Sequence, residues 1–346
     1  MATTNSPDSE SDQLRPEYDL AKLRGRVRGK YLARRDANAE RLKEQPEFSG
    51  AVPGEECRGK LSQEDARSFI ARMDAALMPL FAKCVLPIYG EHQGAAIQCG
   101  TGTLFRVADV AFLVTASHVT DLAAKKRAQL YITDAVAGSR GLALEGRLHS
   151  ERNLDVSLWE LPAHIVNQLS NRTFLTVHHA DREHRRPEPG WYYLHGYPNC
   201  WSTADSEQQK TVVKPFTYGT VLYDGDTSRF EGYDPRIHVL LTAPRAGAVD
   251  SNGIGTEMPK ALHGISGCSI WQAYYQGLET THWTTDDAIV VAVQTCIYHE
   301  GTVVRGTRWW VINEMISKNY PALSGPLQIV LPQNANSVID PLSPRF

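Results

Sequence analysis

From Val85 onward the chain is built of short stretches rich in β-branched and aromatic residues, separated by Gly, Pro, Asp and Asn. Thirteen of them read as strands: 84–89, 95–99, 102–107, 110–115, 128–133, 142–148, 155–160, 191–195, 216–223, 237–242, 268–273, 288–295 and 302–311. Strands this short, with turn signals between them and no long helical pattern interleaved, predict an all-β sandwich or barrel and exclude a sheet built of βαβ units.

Helices are predicted only at the flanks. In Ser62–Lys83, Phe69, Ile70, Met73, Ala76, Leu77 and Leu80 recur at helical spacing. Ser62 and Asp65 have the offset of a capping box, with Asp in the place of the usual Glu or Gln. Pro79 is expected to kink or end this helix, because it lacks the backbone donor and crowds the preceding turn. Phe69, Met73, Leu77 and Leu80 should pack against the first part of the β region. Ile312–Asn319 predicts a short C-terminal helix. Residues 1–60 read as a flexible charged extension, disordered or loosely helical. Within it, Ala21–Arg35 carries seven Lys/Arg and no acid. That stretch suits an anionic or protein partner, or a solvated tail.

Charge excludes some classes. Lys+Arg 36 against Asp+Glu 39 gives −3, so no global basicity points to specific nucleic-acid binding. The longest apolar runs, Val110–Ala116 and Ala288–Val293, fall far short of the ~20 residues of a membrane-spanning helix. The N-terminus lacks the basic start and apolar stretch of an export signal. Cysteines 57, 84, 99, 200, 268 and 296 form no CxxC pair. The expectation is a cytoplasmic protein with reduced thiols, no metal and no cofactor.

Three segments carry chemistry. In Cys99–Asp121 a buried strand ends in Thr-Ala-Ser-His, which puts His118 at a sheet edge. In Asn153–Leu161, Asp155 opens an alternating strand. In Leu262–Gln272, Ser266 lies in a Gly-Ile-Ser-Gly turn that leads into a strand. Each alone is ordinary. Together they suit an activated serine: the hydroxyl needs an imidazole to take its proton, and the imidazole needs a carboxylate to fix its tautomer. The glycines free the backbone to aim N–H groups at an oxyanion.

TASH around His118, LDVSL around Asp155 and GISGCS around Ser266 resemble the three active-site motifs of chymotrypsin-like serine proteases, in the flavour of bacterial Deg-like members. The order His, Asp, Ser differs from subtilisins and α/β-hydrolases. The resemblance spans about 84–315 and takes in GTGTLF, LHGYP at 194–198 and VVAVQT at 290–295. It implies two antiparallel β-barrels flanked by the two helices: 61–83 the N-terminal helix, 84–185 a barrel with His118 and Asp155, 186–346 a barrel with Ser266 plus the C-terminal helix and tail. It further implies an endopeptidase working through an acyl-enzyme, with His118 as base, Asp155 as orienter and Ser266 as nucleophile. The N–H groups of Gly264 and Ser266 would form the oxyanion hole, and Gln294 and Thr295 would face substrate backbone. Lys260, His263, Arg305 and Arg308 would lie near the specificity pocket, where they would favour an acidic side chain or else point to solvent. Ile265 stands where secreted trypsins carry an Asp that pairs with a newly cut N-terminus, and Val119 stands where a disulfide partner for Cys99 would be. Both departures suit a reducing compartment, and the N-terminal extension suggests by analogy a dedicated protein substrate in a stress or defence setting.

Rival readings are an α/β-hydrolase, for which Cys268 breaks the G-x-S-x-G pattern, a metal site from His178, His179, His184 and Cys200 in an exposed loop, and a protease-like binding module without activity.

Overall fold

A computed structural model describes residues 63–327, apart from 93–94, 127, 134–140, 182–186, 206–209, 244–258, 260, 276–279 and 299–301. The extension 1–60, with its basic stretch 21–35, lies outside the described residues.

Helix α1 (Gln63–Cys84) leads directly into β1 (Val85–His92), β2 (Ala95–Val107) and β3 (Val110–Thr115). Then come α2 (Ser117–Lys126), β4 (Leu130–Ile132), β5 (Leu142–Ala143), β6 (Leu148–Glu151), β7 (Val156–Leu161) and α3 (Ala163–Gln168). The second half holds β8 (Gly190–Gly196), β9 (Ser202–Asp205), β10 (Lys210–Val213), β11 (Phe216–Thr220), β12 (His238–Thr242), β13 (Ser269–Tyr275), β14 (Ile289–Tyr298) and β15 (Val303–Arg308). Helix α4 (Trp309–Asn319) follows β15 without a break.

The strands form two antiparallel sheets, in the orders β5-β4-β1-β2-β3-β7-β6 and β11-β8-β13-β14-β15-β12, with β9-β10 as a separate hairpin. Both curl until their edges meet. In the first, the segment from β5 to β6 runs from one edge to the other: the Leu144 N–H donates to Leu130 O (2.8 Å) and Arg147 O accepts from the Glu160 N–H (2.8 Å). In the second, Leu222 pairs with Leu241, flanked by bonds from the Tyr223 N–H to Leu240 O (2.9 Å) and the Thr242 N–H to Val221 O (3.1 Å). Closure removes the exposed strand edges that an open sheet of such apolar strands would present. The architecture is thus two antiparallel half-barrels of the chymotrypsin-like kind, mostly strand with few helices.

Three apolar clusters follow from strand alternation. Leu86, Ile88, Leu104 and Leu113 fill the first barrel, and Leu194, Leu241, Ile270 and Val304 fill the second. The opposite faces of both barrels meet α1 and α4 in the largest cluster, around Phe81, Phe105, Phe112, Trp271 and Trp309.

Several local expectations change. Pro79 lies inside α1, which runs on to Cys84; burial of Leu77, Phe81 and Cys84 holds the turn that proline weakens. Leu80 is only partly buried, and Phe81 takes the central place. Phe81 packs on Tyr193, His195 and Trp271, and Phe69 on Tyr274 and Trp283, so the ring contacts reach the second barrel, while the same cluster joins α1 to Phe105 and Phe112 of the first. Trp309–Val311, read as the end of a strand, begins α4: Trp309, Val311 and Ile312 are buried at helical spacing, and packing overrides their β propensity. Helices α2 and α3 and the β9-β10 hairpin had no clear sequence signal. Among the described residues no helix is long and apolar enough to cross a membrane.

Phe81→Ala should therefore cost about 3–5 kcal/mol. The check is the denaturant midpoint of the full chain, where a change below about 1 kcal/mol would mean that α1 is a peripheral element.

Candidate active site

The site lies on the seam between the barrels. Buried β3 delivers the chain to Ala116, and His118 falls in the first turn of α2. Asp155 arrives from the other side, at the end of a 3-10 turn over Arg152–Leu154 and just before β7. Its backbone is left-handed (φ 52°), a conformation that Asp tolerates better than most side chains. The Asp155 N–H donates to Arg152 O (3.2 Å) and Asp155 O accepts from the Ser117 N–H (3.2 Å), which fixes the strained residue from both sides.

Its carboxylate meets three donors. His118 Nδ1 lies 2.8 Å from Oδ2 and 3.0 Å from Oδ1. The His118 N–H and the Ser117 hydroxyl each donate to Oδ1 at 3.0 Å. A proton on Nδ1 satisfies this pairing and leaves the Nε2 lone pair as the basic position. His118 Nε2 is shielded from solvent and has no hydrogen-bond partner among the described residues, so the Ser266 hydroxyl is not bonded to it here. Catalytic hydrogen bonds are often long before substrate binds. Beyond Asp155, the Thr307 hydroxyl donates to Leu154 O (2.7 Å), tying β15 of the second barrel to the turn that presents the carboxylate.

Ser266 is half-buried in the turn before β13. Its carbonyl accepts from the Thr101 N–H (2.8 Å) across the seam. The next residue, Gly267, has φ 90°, and a Cβ there would collide with Thr101 O and Thr115 Oγ1 and lie 2.9 Å from Ala116 N. The serine turn therefore rests on the segment that delivers His118. Ile265, the departure from secreted trypsins, is fully buried in the second barrel.

The peptide planes of the turn are locked. His263 O accepts from the Asn199 N–H (2.7 Å) and Ile265 O accepts from the Cys268 N–H (2.9 Å). In a trans peptide the N–H points opposite to the C=O, so pinning these carbonyls aims the Gly264 and Ser266 N–H groups away from them. Among the described residues neither N–H donates to a backbone carbonyl. Gly264 has φ 95°, which a side chain would disfavour. Two fixed, unspent donors flanking a hydroxyl are able to hold a developing oxyanion.

The other singled-out residues take different places. Gln294 is buried and its backbone braces the turn, accepting from the Gly267 N–H (2.8 Å) and donating to Cys268 O (2.8 Å). Thr295 sits at an irregularity in the β14-β15 register and is also buried. His263 is exposed on the turn, and Lys260 lies outside the described residues. Arg308 is not available as a pocket cation: it is buried, 3.7 Å from Asp181, and desolvation lowers its pKa despite that partner. Arg305 donates to Tyr298 OH (2.8 Å) and to Gly232 O (3.3 Å). His179, from the rival metal reading, accepts from the Thr176 N–H (3.1 Å) as part of a local cap, and its partner in that reading, His184, lies outside the described residues. Near Asp155, burial and then the Arg305 charge push His238 down to about 4, so it adds no positive charge near neutral pH. Among the described residues Cys84, Cys99, Cys200, Cys268 and Cys296 are in no disulfide, and burial pushes the Cys84 and Cys268 thiols up.

Sequence reasoning passed over Gln98, Thr101, Ser117, Asn199 and Thr307. Their one signal was polarity next to a motif or within an apolar strand, as for Gln98 in AAIQCGTG.

No family model and no curated protein matches the chain. Among solved structures, a catalytically active tobacco etch virus protease complexed with product is similar over 73% of this chain and 77% of that one, at 9% identity and a TM-score of 0.35.

Gly267→Ala should cost about 2 kcal/mol or more, from the left-handed backbone and the collision with Thr101 O. Thermal unfolding of the purified variant checks this, and wild-type stability would contradict the packing of the serine turn on the first barrel.

Proposed function

We propose that the chain is a serine endopeptidase of chymotrypsin-like type, with Ser266 as nucleophile, His118 as general base and Asp155 as its orienter. The observation that carries this reading is the His118–Asp155 pair at 2.8 Å beside a serine turn whose flanking carbonyls are pinned and whose Gly264 and Ser266 N–H groups are unspent among the described residues.

In this mechanism Ser266 Oγ attacks the scissile carbonyl while its proton passes to His118 Nε2. Asp155 stabilises the imidazolium and keeps its own charge. The Gly264 and Ser266 N–H groups hold the tetrahedral oxyanion. The imidazolium then protonates the departing amine, leaving an acyl group on Ser266. Water enters, loses a proton to His118 and releases the acid, which restores the hydroxyl.

The Deg-like flavour rests on the motif resemblance alone. A reducing, cytoplasmic setting is supported by the departures at Ile265 and Val119, and a dedicated protein substrate in stress or defence by analogy from the N-terminal extension. Cleavage preference would follow from residues near the turn, where His263 is exposed.

Peptide hydrolysis should fall about 10⁴-fold or more in Ser266→Ala, in His118→Ala and in Asp155→Asn. Because the three act as one unit, the Ser266→Ala/His118→Ala double variant should lose little beyond either single one. Wild-type turnover in Ser266→Ala would contradict the mechanism, and a wild type without turnover on any peptide would favour a binding module.

A further inference from the structure

We propose that Gln98 is a positioning residue for the oxyanion hole, a role that rests on the serine-peptidase reading. Gln98 lies on β2 of the first barrel and is 2% exposed. Its side-chain Nε2 donates to Gly264 O (2.9 Å), to Tyr197 O (2.7 Å) and to Gly100 O (2.8 Å). Two amide hydrogens thus serve three carbonyls, and each carbonyl belongs to a different part of the site.

The bond to Gly264 O works with the Thr101 hydroxyl, which donates to the same oxygen at 2.8 Å. Together they fix the peptide plane after Gly264. The bond to Tyr197 O holds the start of the turn at 197–201, whose Asn199 N–H pins His263 O (2.7 Å) and thereby fixes the plane before Gly264. A single side chain therefore restrains the peptide planes on both sides of Gly264, the first of which carries its N–H. The amide oxygen is buried without a partner among the described residues and lies where a Cβ of Gly264 would go. An unpaired buried acceptor is costly, and it stands against the one residue of the turn whose backbone must stay open.

The test compares wild type, Gln98→Leu, Gln98→Glu and Ser266→Ala as full chains. Three quantities are read: the rate of labelling by a fluorophosphonate, kcat and KM on a fluorogenic peptide that the wild type cleaves, and the thermal midpoint. In Gln98→Leu, labelling and kcat should both fall about 10- to 100-fold, with KM within about threefold and the protein still folded. Gln98→Glu keeps the length but offers no hydrogen when ionised, so it should show the same loss. Near-wild-type kcat in either folded variant, or a loss confined to KM, would overturn the proposal. So would failure of both variants to fold, since Gln98 would then be a structural group. A wild type that is not labelled, or a label that persists in Ser266→Ala, would instead overturn the serine-peptidase reading, and the role of Gln98 with it.

Discussion

A peptide group is planar, so a hydrogen bond that holds its carbonyl also decides where its amide points. The chemistry of the turn at 262–268 depends on this constraint. A short loop with glycines at 264 and 267 would otherwise sample many backbone states. Here four successive carbonyls are held: His263 O by Asn199, Gly264 O by Gln98 and Thr101 and Ser266 O by Thr101 from outside the turn, and Ile265 O by Cys268 within it. Two of those supports, Gln98 and Thr101, come from the first barrel. The serine belongs to one half of the fold while its geometry is enforced by the other, which is why the site forms on the seam.

The same logic governs the His118–Asp155 pair. Asp155 accepts a left-handed backbone, which costs of order 1 kcal/mol or more, and the surrounding bonds hold it there. The carboxylate is then aligned with His118 Nδ1, nearest at Oδ2, and the Ser117 hydroxyl supplies an extra donor to its other oxygen, Oδ1. Thr307 ties the turn before Asp155 to the second barrel. Each half thus holds one functional segment of the other. Relative movement of the barrels would disturb the serine turn and the carboxylate together.

The strand texture after Val85 carried the all-β class, and TASH, LDVSL and GISGCS made the three candidate segments legible. What stayed hidden is long-range. Gln98 and Gly264 are 166 residues apart, and no local periodicity links them. Trp309–Val311 looked like a strand because its residues favour one; only the cluster beneath makes it a helix. Pro79 looked like a helix end because the stabilising burial of Phe81 comes from rings on β8 and β13. Arg308 looked like a free cation in a pocket, and its partner Asp181 is 127 residues away by the difference of their numbers. Local chemistry was readable; the contacts that tune it were set by the fold.

The proposed function turns on the activation of Ser266 as a nucleophile. Its most direct measurement is peptide mapping by mass spectrometry after treatment of the full wild-type chain with diisopropyl fluorophosphate. One adduct is expected, on Ser266, that forms on the native protein and is lost after denaturation before treatment. An unmodified native protein, or an adduct on a different serine, would contradict it.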